Sequence, residues 1–182
     1  MPKLLLKMQV SLDGYVGAPD GDIAWVFDSL DDELRAYEVA LLSGAGAHLM
    51  GRATYEDMAA HWPTADSPFA EPMNTIPKVV FSNTLSEASW GSTTVLSGPL
   101  AEEIATLKAA PGDRPLIAHG GARFAQALSR AGLIDEYHLI VHPAVLGDGL
   151  SLFGGRADLT MCDVRRFPAG ALALTYLRAE AG

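Results

Sequence analysis

The sequence predicts an α/β fold with a mixed, mainly parallel sheet, helices on both faces and a C-terminal antiparallel hairpin. Short apolar runs of strand length alternate with helical patterns through most of the chain. After residue 141 the helical patterns stop, and two further runs flank the turn Pro168-Ala169-Gly170. Strands that are joined by helices form parallel sheets that are covered on both faces, whereas strands that share a tight turn are antiparallel. We expect a single domain over residues 1–182.

The predicted strands are apolar or alternating runs that are bounded by loop residues. In chain order they are Leu4–Val10, Ala47–Met50, Lys78–Ser82, Thr93–Leu96, Leu116–His119, Glu136–Val141, Leu159–Phe167 and Ala171–Arg178. The segment 11–22 is rich in Gly, Pro and Asp and predicts a loop, and a second loop is predicted over 64–76.

The predicted helices carry apolar residues at helical spacing. The first begins at an N-cap among residues 28–32, carries Leu34, Tyr37 and Leu41 and ends at Gly44 and Gly46. The other three are marked by Tyr55 to Trp62 before Pro63, by Leu100 to Leu107 after Pro99, and by Phe124 to Ala131 with Gly132 as C-cap.

Composition excludes several classes of function. The chain has 182 residues, of which 49% are hydrophobic, and no apolar run approaches the roughly 20 residues that span a bilayer. Its net charge of −9 argues against nucleic-acid and anionic-membrane partners. Cys162 is the only cysteine, so no internal disulfide or multi-cysteine metal site can form. We expect a cytoplasmic protein.

Two strand-to-helix junctions predict anion sites. Gly51-Arg52-Ala53-Thr54 follows the second strand, and Gly120-Gly121-Ala122-Arg123-Phe124 follows the fifth. The first N–H groups of a helix lack internal partners and lie at the positive end of its dipole, so they bind phosphate, to which Arg52 adds a bidentate donor. Two such junctions in one chain predict a ligand with two phosphate-bearing parts, such as a dinucleotide.

Motifs in the same order resemble the dihydrofolate reductase-like superfamily, in the branch shared with the reductase domain of the riboflavin-pathway enzyme. They are Ser11-Leu12-Asp13-Gly14, residues 49–56, residues 79–82, residues 120–124 and Leu133-Ile134-Asp135-Glu136 with the segment 143–149 after it. The resemblance covers nearly the whole chain and implies a three-layer dihydrofolate reductase-like fold.

The resemblance also implies NADPH as the cofactor. Residues matching Gly51, Arg52, Ala53 and Thr54 then bind its phosphates, and those matching Ser82 and Asn83 lie near the adenosine 2′-phosphate. The Gly120-Gly121 pair, joined by a cis peptide, and the helix start at Ala122, Arg123 and Phe124 hold the pyrophosphate and nicotinamide side. The loop from Asp13 to Ala24 covers nicotinamide and substrate.

Two features argue against riboflavin synthesis. Tyr15 stands where that branch carries lysine, and the zinc signatures of the deaminase half are absent from the sequence. Tyr15 is nonetheless a candidate substrate contact.

Two residues are candidates for the acid that would donate a proton. Asp13 either has a role on the substrate and nicotinamide side or belongs to an ordinary Asp-Gly turn, and Asp31 is either a helix N-cap or a proton donor. Trp25 either forms a wall of the substrate pocket or belongs to the core. The five histidines are not expected to cluster, and no metal site is predicted.

These features favour an NADPH-dependent reductase that transfers hydride to a small pterin- or pyrimidine-like heterocycle. Three alternatives remain open: a non-catalytic nucleotide-binding or regulatory protein on the same fold, a stand-alone riboflavin-pathway reductase, and a flavin-dependent α/β protein. A homodimer is expected from the resemblance and from the frequency of two-fold oligomers, with the segment 143–153 as a candidate interface.

Overall fold

The computed structural model describes residues 1–179, in which eight strands form a sheet between two layers of helices. The strands are β1 Leu4–Ser11, β2 Ala47–Gly51, β3 Lys78–Phe81, β4 Thr93–Leu96, β5 Leu116–His119, β6 Glu136–His142, β7 Leu159–Arg166 and β8 Leu172–Arg178. The α-helices are α1 Asp32–Ser43, α2 Arg52–His61, α3 Ala70–Thr75, α4 Leu100–Ala109 and α5 Ala122–Arg130. Short 3₁₀ helices cover Ala24–Ser29 and Trp62–Thr64.

The strand order is β4-β3-β2-β5-β1-β6-β8-β7. The strands from β4 to β6 run parallel, and β8 and β7 add an antiparallel hairpin beside β6. The predicted fold class is therefore confirmed. The central strand β1 lies between β5 and β6, so both of its neighbours come from the second half of the chain.

The two faces of the sheet are covered by different helices because successive strand residues point to opposite faces. On one face Leu4, Leu6 and Met8 of β1 pack in a cluster with Ile104 of α4 and Leu128 of α5. On the other face a second cluster brings together buried residues of β1, β2, β3, α1 and α2, namely Leu5, Met50, Val80, Leu42 and Tyr55. The three layers implied by the resemblance are thus present.

The prediction that residues 64–76 form only a loop is wrong, because α3 occupies Ala70–Thr75. This helix spans six residues, too few for an apolar period to show, and Met73 is buried against the core. The 3₁₀ helix at Ala24–Ser29 was likewise not predicted. The C-cap of α5 is Ala131, one residue earlier than the predicted Gly132, and Gly132 follows it with φ +65°.

Among residues 1–179 we find no helix that combines the length and the apolar character needed to cross a membrane. The last three residues of the expected single domain, 180–182, lie outside the described part of the chain.

Candidate functional site

The predicted cofactor residues follow three strands that lie side by side. Ser82 and Asn83 follow β3, the segment 51–54 ends β2 and begins α2, and the segment 120–124 follows β5. The loop after β1, which contains Asp13 and Tyr15, comes next in the row. Ligands of parallel sheets bind outside the carboxyl ends of the strands, so this edge is the candidate site.

Helix α2 begins directly at the end of β2 and leaves its first N–H groups available. Its N-cap is Gly51, which offers no side-chain cap. Arg52 and Ala53 are exposed in the first turn, and Arg52 Nε lies 3.9 Å from Glu56 Oε1, too far for a firm ion pair. The helix start can therefore receive an anion, with the Arg52 guanidinium beside it.

Helix α5 begins in the same way after β5. Gly121 is its N-cap without a side-chain cap, and the Gly120–Gly121 peptide is cis, as the resemblance implies. Gly120 has φ +36°, and a Cβ at this position would lie 2.8 Å from Met8 Sδ. The positive φ favours glycine at residue 120, and a Cβ there would in addition displace the end of the Met8 side chain.

The two helix starts are in direct contact. The N–H of Gly121 donates a 2.7 Å hydrogen bond to Oγ1 of Thr54. Phe124 also packs beside the end of β2, and its ring lies 5.1 Å from that of Phe81, at the end of β3. The structure therefore brings together two segments that are 67 residues apart and that were both predicted as phosphate sites.

The turn after β3 uses the Ser82 hydroxyl internally. Ser82 Oγ accepts hydrogen bonds from the N–H groups of Thr84, at 3.1 Å, and Leu85, at 2.9 Å. Asn83 is exposed. These contacts favour a turn-forming role for the Ser82 side chain, and the predicted cofactor contacts of both residues stay predictions.

The loop after β1 is anchored by Asp13. Its carboxylate accepts hydrogen bonds from Ser11 Oγ at 2.7 Å and from the N–H groups of Leu146, at 3.1 Å, and Gly147, at 2.8 Å. The Ser11 hydrogen bond, followed by those of the backbone, holds the pKa of Asp13 below its usual value. The carboxylate is thus ionised near neutral pH and fastens the loop to the segment 143–153, to which Tyr15 also bridges at Ser151.

Asp31 is the N-cap of α1, one of the two readings left open by the sequence. Its carboxylate accepts hydrogen bonds from the N–H groups of Leu34 and Ala169, both at 2.8 Å. These two bonds, Leu34 first, lower the pKa of Asp31. The contacts tie Asp31 to the β7–β8 turn, on the β6 side of the sheet, and favour a structural role over the predicted proton donor.

Trp25 lies half-buried in the 3₁₀ helix that follows the loop. Its Nε1–H donates to the carbonyl of Asp22 at 3.3 Å, and its ring meets the ring of His142 edge-on at 5.5 Å. Trp25 thereby covers the end of a buried polar network that was not predicted from the sequence.

That network lies between α1 and the sheet. His142 contacts Ser29 and Gln9, and Gln9 in turn contacts Glu38 of α1. Glu38 is 1% exposed and forms a 2.5 Å ion pair with Lys7. The missed sequence signal is the alternation Lys7-Met8-Gln9-Val10-Ser11, in which every second residue is polar, so that these polar side chains share one face of β1.

The expectation that the histidines do not cluster is wrong for His48 and His119. Their rings are joined by a 2.9 Å hydrogen bond between His119 Nε2 and His48 Nδ1. Burial lowers the pKa of His48 to about 4 and the pKa of His119 well below its usual value. Burial also lowers the pKa of His142, so all three rings are neutral at neutral pH.

In the part of the chain that the structure describes, no group of three or more His, Cys, Asp and Glu side chains is arranged to hold a metal ion. The groups that this edge offers are the N–H groups of the two helix starts, the anchored loop after β1 and the polar network beneath α1.

Comparison with known proteins places this geometry in a family. The model of the RibD C-terminal domain family matches residues 2–173. An uncharacterized protein of Bacillus subtilis strain 168, YyaP, is 28% identical over 182 residues, which cover 96% of this chain and 94% of that protein.

Solved structures share the fold. A protein of Shewanella sp. PV-4 assigned to riboflavin biosynthesis superposes with a TM-score of 0.80 at 24% identity, covering 98% of this chain and 99% of that one. The diaminohydroxyphosphoribosylaminopyrimidine deaminase/5-amino-6-(5-phosphoribosylamino)uracil reductase of Thermotoga maritima superposes with a TM-score of 0.73 at 16% identity. This chain covers 57% of the Thermotoga protein.

Proposed function

This chain belongs to the RibD C-terminal domain family, and from that premise we propose that it is an NADPH-dependent reductase of a small pterin- or pyrimidine-like heterocycle. The observation that carries the proposal is the hydrogen bond from Gly121 N–H to Thr54 Oγ1. This bond holds two helix N-termini against each other, and each of them is an anion-binding element, so together they can receive two linked phosphates.

The row of strand ends suits an elongated dinucleotide. From β3 to β1 the row crosses three strand spacings of roughly 4.8 Å, or about 14 Å in all. In the proposed pose Asn83 lies toward the adenosine end, Arg52 and the backbone of 51–54 face the phosphates, and Gly120 lies toward the nicotinamide. The exposed Arg52 and Arg123 would supply positive charge locally in a chain whose net charge is −9.

When bound, the cofactor supplies the hydride, and the protein supplies binding, orientation and exclusion of water. The Asp13 carboxylate holds the loop after β1 against residues 146 and 147, so that the loop can cover the reacting atoms. The half-buried Trp25 offers a flat apolar wall for a heterocyclic ring. Protons would enter from water or from the polar network beneath α1.

The names of related proteins support the proposed substrate class. The Thermotoga protein is named as a pyrimidine-derivative reductase, and a stand-alone riboflavin-pathway reductase therefore remains a second candidate for this chain. Tyr15 in place of lysine argues against this candidate, because a phosphorylated substrate needs a basic group near its phosphate.

A turnover assay tests the proposal. NADPH consumption would be followed with dihydrofolate, with simple dihydropterins and with the ribosylaminopyrimidine phosphate, using the purified protein and two arginine variants. We expect turnover with at least one heterocycle, reduced by Arg52→Ala and unchanged by Arg156→Ala, which removes an arginine with an 87% exposed side chain outside the site. Absence of turnover with every substrate, despite NADPH binding, would favour the non-catalytic alternative.

The proposal extends to a single domain that acts in the cytoplasm as a homodimer. The segment 143–153 anchors the loop after β1 through backbone hydrogen bonds of Leu12 and Val16, and the edge strand β7 exposes Met161 and Val164. Light scattering that gives the mass of one chain at micromolar concentration would refute the dimer.

A further inference from the structure

The large apolar side chains that remain exposed are concentrated in two segments beside the candidate site. These segments are residues 11–31, after β1, and residues 143–153, after β6, and we call them the substrate-side loops. Residues 1–179 have nine large apolar side chains that are exposed, and five of them belong to these loops: Leu12, Ile23, Phe27, Val145 and Leu150, with exposed fractions from 42% to 68%. Concentrated apolar exposure marks a surface that binds something.

The two loops form one connected surface. The N–H of Leu12 donates to a carbonyl of the second loop at 2.7 Å, and the N–H of Leu150 donates to the Gly17 carbonyl at 2.9 Å. The ring of Trp25, in the 3₁₀ helix, meets the ring of His142, just before the second loop, edge-on at 5.5 Å. The exposed apolar side chains are therefore carried by neighbouring pieces of backbone.

The substrate-side loops carry only negative charge. They contain no lysine, arginine or histidine and six aspartates, which are Asp13, Asp20, Asp22, Asp28, Asp31 and Asp148. Within the part of the chain that the structure describes, none of these carboxylates forms an ion pair with a basic side chain. Burial lowers the pKa of the adjacent His142, so this ring adds no positive charge at neutral pH. An anion that approaches the loops is therefore repelled.

Cations of the neighbouring strands do not offset this charge. Lys7 is held by Glu38 in a 2.5 Å ion pair, and Arg165 of β7 lies 4.0 Å from Glu33. Arg166 points to the opposite face of β7 from Arg165. The helix starts of the cofactor half, in contrast, each carry an exposed arginine. The two halves of the candidate site thus differ in charge, and only the cofactor half suits phosphates.

We propose that the substrate-side loops bind an uncharged heterocycle with an apolar substituent of about the size of a phenyl ring, and that they exclude substrates with a phosphate or carboxylate on that substituent. This inference rests on the proposed reductase function and narrows the substrate class of the same site. The heterocycle lies against Trp25, and its substituent covers the exposed apolar side chains of the loops. Small-molecule sites are typically apolar with a few polar groups that orient the ligand.

A second copy of the chain is the competing occupant of this surface. In a two-fold contact the same surface meets itself, so a contact through residues 11–31 would place the five aspartates of one copy against the five of the other. Like charges that face each other across an interface weaken binding. An uncharged small molecule covers the apolar side chains without this repulsion, and the charge of the loops therefore favours it.

Three pterins separate the two parts of the proposal. 6-Methylpterin and 6-phenylpterin differ in apolar size, whereas 6-phenylpterin and 4-(pterin-6-yl)benzoate differ in one negative charge. The corresponding 6-substituted uracils place the same three substituents on a pyrimidine ring. Dissociation constants of both series would be measured by calorimetry at low salt.

The charge of the loops is tested with two double variants that change net charge equally. Asp22→Asn/Asp28→Asn removes two loop carboxylates, and the amide oxygen at residue 22 can still accept from Ala24 N–H. Asp66→Asn/Asp113→Asn removes two exposed carboxylates elsewhere. We expect wild type and this control to bind the phenyl probe at least tenfold more tightly than the benzoate. The loop variant should lower that ratio about fourfold, because a carboxylate roughly 10 Å away weakens the binding of a monoanion about twofold in water.

The apolar surface is tested with Phe27→Ala and the control Leu177→Ala. Both side chains are exposed, so neither substitution removes a core contact, and Leu177 lies at the opposite edge of the sheet, where it pairs with Glu136. We expect wild type and Leu177→Ala to bind the phenyl probe about fivefold more tightly than the methyl probe, through partial burial of the added ring. Phe27→Ala should lower this ratio at least twofold.

Three results overturn the proposal. They are a benzoate probe that wild type binds as tightly as the phenyl probe, probe ratios that the loop variants leave unchanged, and absence of binding for both series. A lower mass of Phe27→Ala in light scattering, with the probe ratios of wild type, would assign the loops to a contact between copies instead.

NADPH binding, followed by nicotinamide fluorescence in the same samples, tests the proposed function separately. Retained NADPH binding with probe ratios near one would refute the proposed substrate class alone. The expected ratios without NADPH binding would refute the reductase function and leave a binding site for uncharged apolar heterocycles.

Discussion

Replacement of Thr54 by valine tests whether the two helix starts act as one site. The substitution removes Oγ1, which accepts the 2.7 Å hydrogen bond from Gly121 N–H, and nearly preserves side-chain volume. A neutral hydrogen bond contributes about 1 kcal/mol net, and Gly121 is exposed, so water can replace the lost acceptor without a further penalty. If that free energy serves to hold the two N-termini in register, its loss weakens NADPH binding about fivefold.

The assay is a nicotinamide fluorescence titration with two matched variants. Thr54→Ser keeps the hydroxyl and is expected to keep the wild-type dissociation constant. Thr106→Val makes the same change in α4, where Thr106 Oγ1 donates to the Glu102 carbonyl of its own helix at 2.9 Å. Equal dissociation constants for Thr54→Val and Thr106→Val would refute the reasoning, because the clamp would then contribute nothing to binding.

Three further results are expected. Asp31→Ala should lower the urea midpoint at pH 7 more than Asp32→Ala does. Because the pKa of Asp31 is lowered in the folded chain, the stability that the cap contributes is present above the unfolded pKa of 3.8 and is lost as acid protonates the folded carboxyl. A difference between the two variants that persists in acid would contradict the capping role. Gly120→Ala should cost about 1–2 kcal/mol of unfolding free energy, since φ +36° disfavours a Cβ, whereas Gly155→Ala, with open space at its Cβ, should cost much less. Because burial lowers the pKa of His48 from 6.5 to about 4, the unfolded chain binds a proton there that the folded chain does not, and this residue alone should lower the unfolding free energy by roughly 2 kcal/mol from neutral pH to about pH 5. Burial of His119 and His142 adds to the slope in the same direction, so His48→Gln should reduce the slope, and a slope equal to that of wild type would show that the other groups are responsible.

The strands were the most predictable part of the fold. β4 and β5 occupy the predicted residues, and the other strands differ by one residue at an end. Burial on both faces explains this success, because such strands read as short apolar runs between turn residues. Helix α3 escaped prediction because its six residues carry no periodic signal, and the burial of Met73 that stabilises it is a tertiary contact.

In the candidate site, too, the contiguous segments were predictable from the sequence and the tertiary contacts were not. The Gly51–Thr54 and Gly120–Phe124 segments were visible because each is a contiguous strand–helix junction. The hydrogen bond between Thr54 and Gly121 was not, since it depends on β2 lying next to β5.

The network around Lys7 was not predicted from the sequence for the same reason. It joins β1 to residues of α1, β5 and β6, and strand neighbours in a parallel sheet are distant in sequence. The polar alternation in β1 was nevertheless present in the sequence, and a buried strand with Lys7 and Gln9 on one face already indicates a functional face.

Parallel titrations with NADPH and NADH, for wild type and Arg52→Ala, test whether this strand edge binds a dinucleotide cofactor. We expect NADPH to bind wild type and Arg52→Ala to weaken this binding, because the guanidinium beside the α2 start would contact a cofactor phosphate. Failure of either nucleotide to bind wild type, or NADPH binding that Arg52→Ala leaves unchanged, would contradict the assignment of this strand edge as the cofactor site.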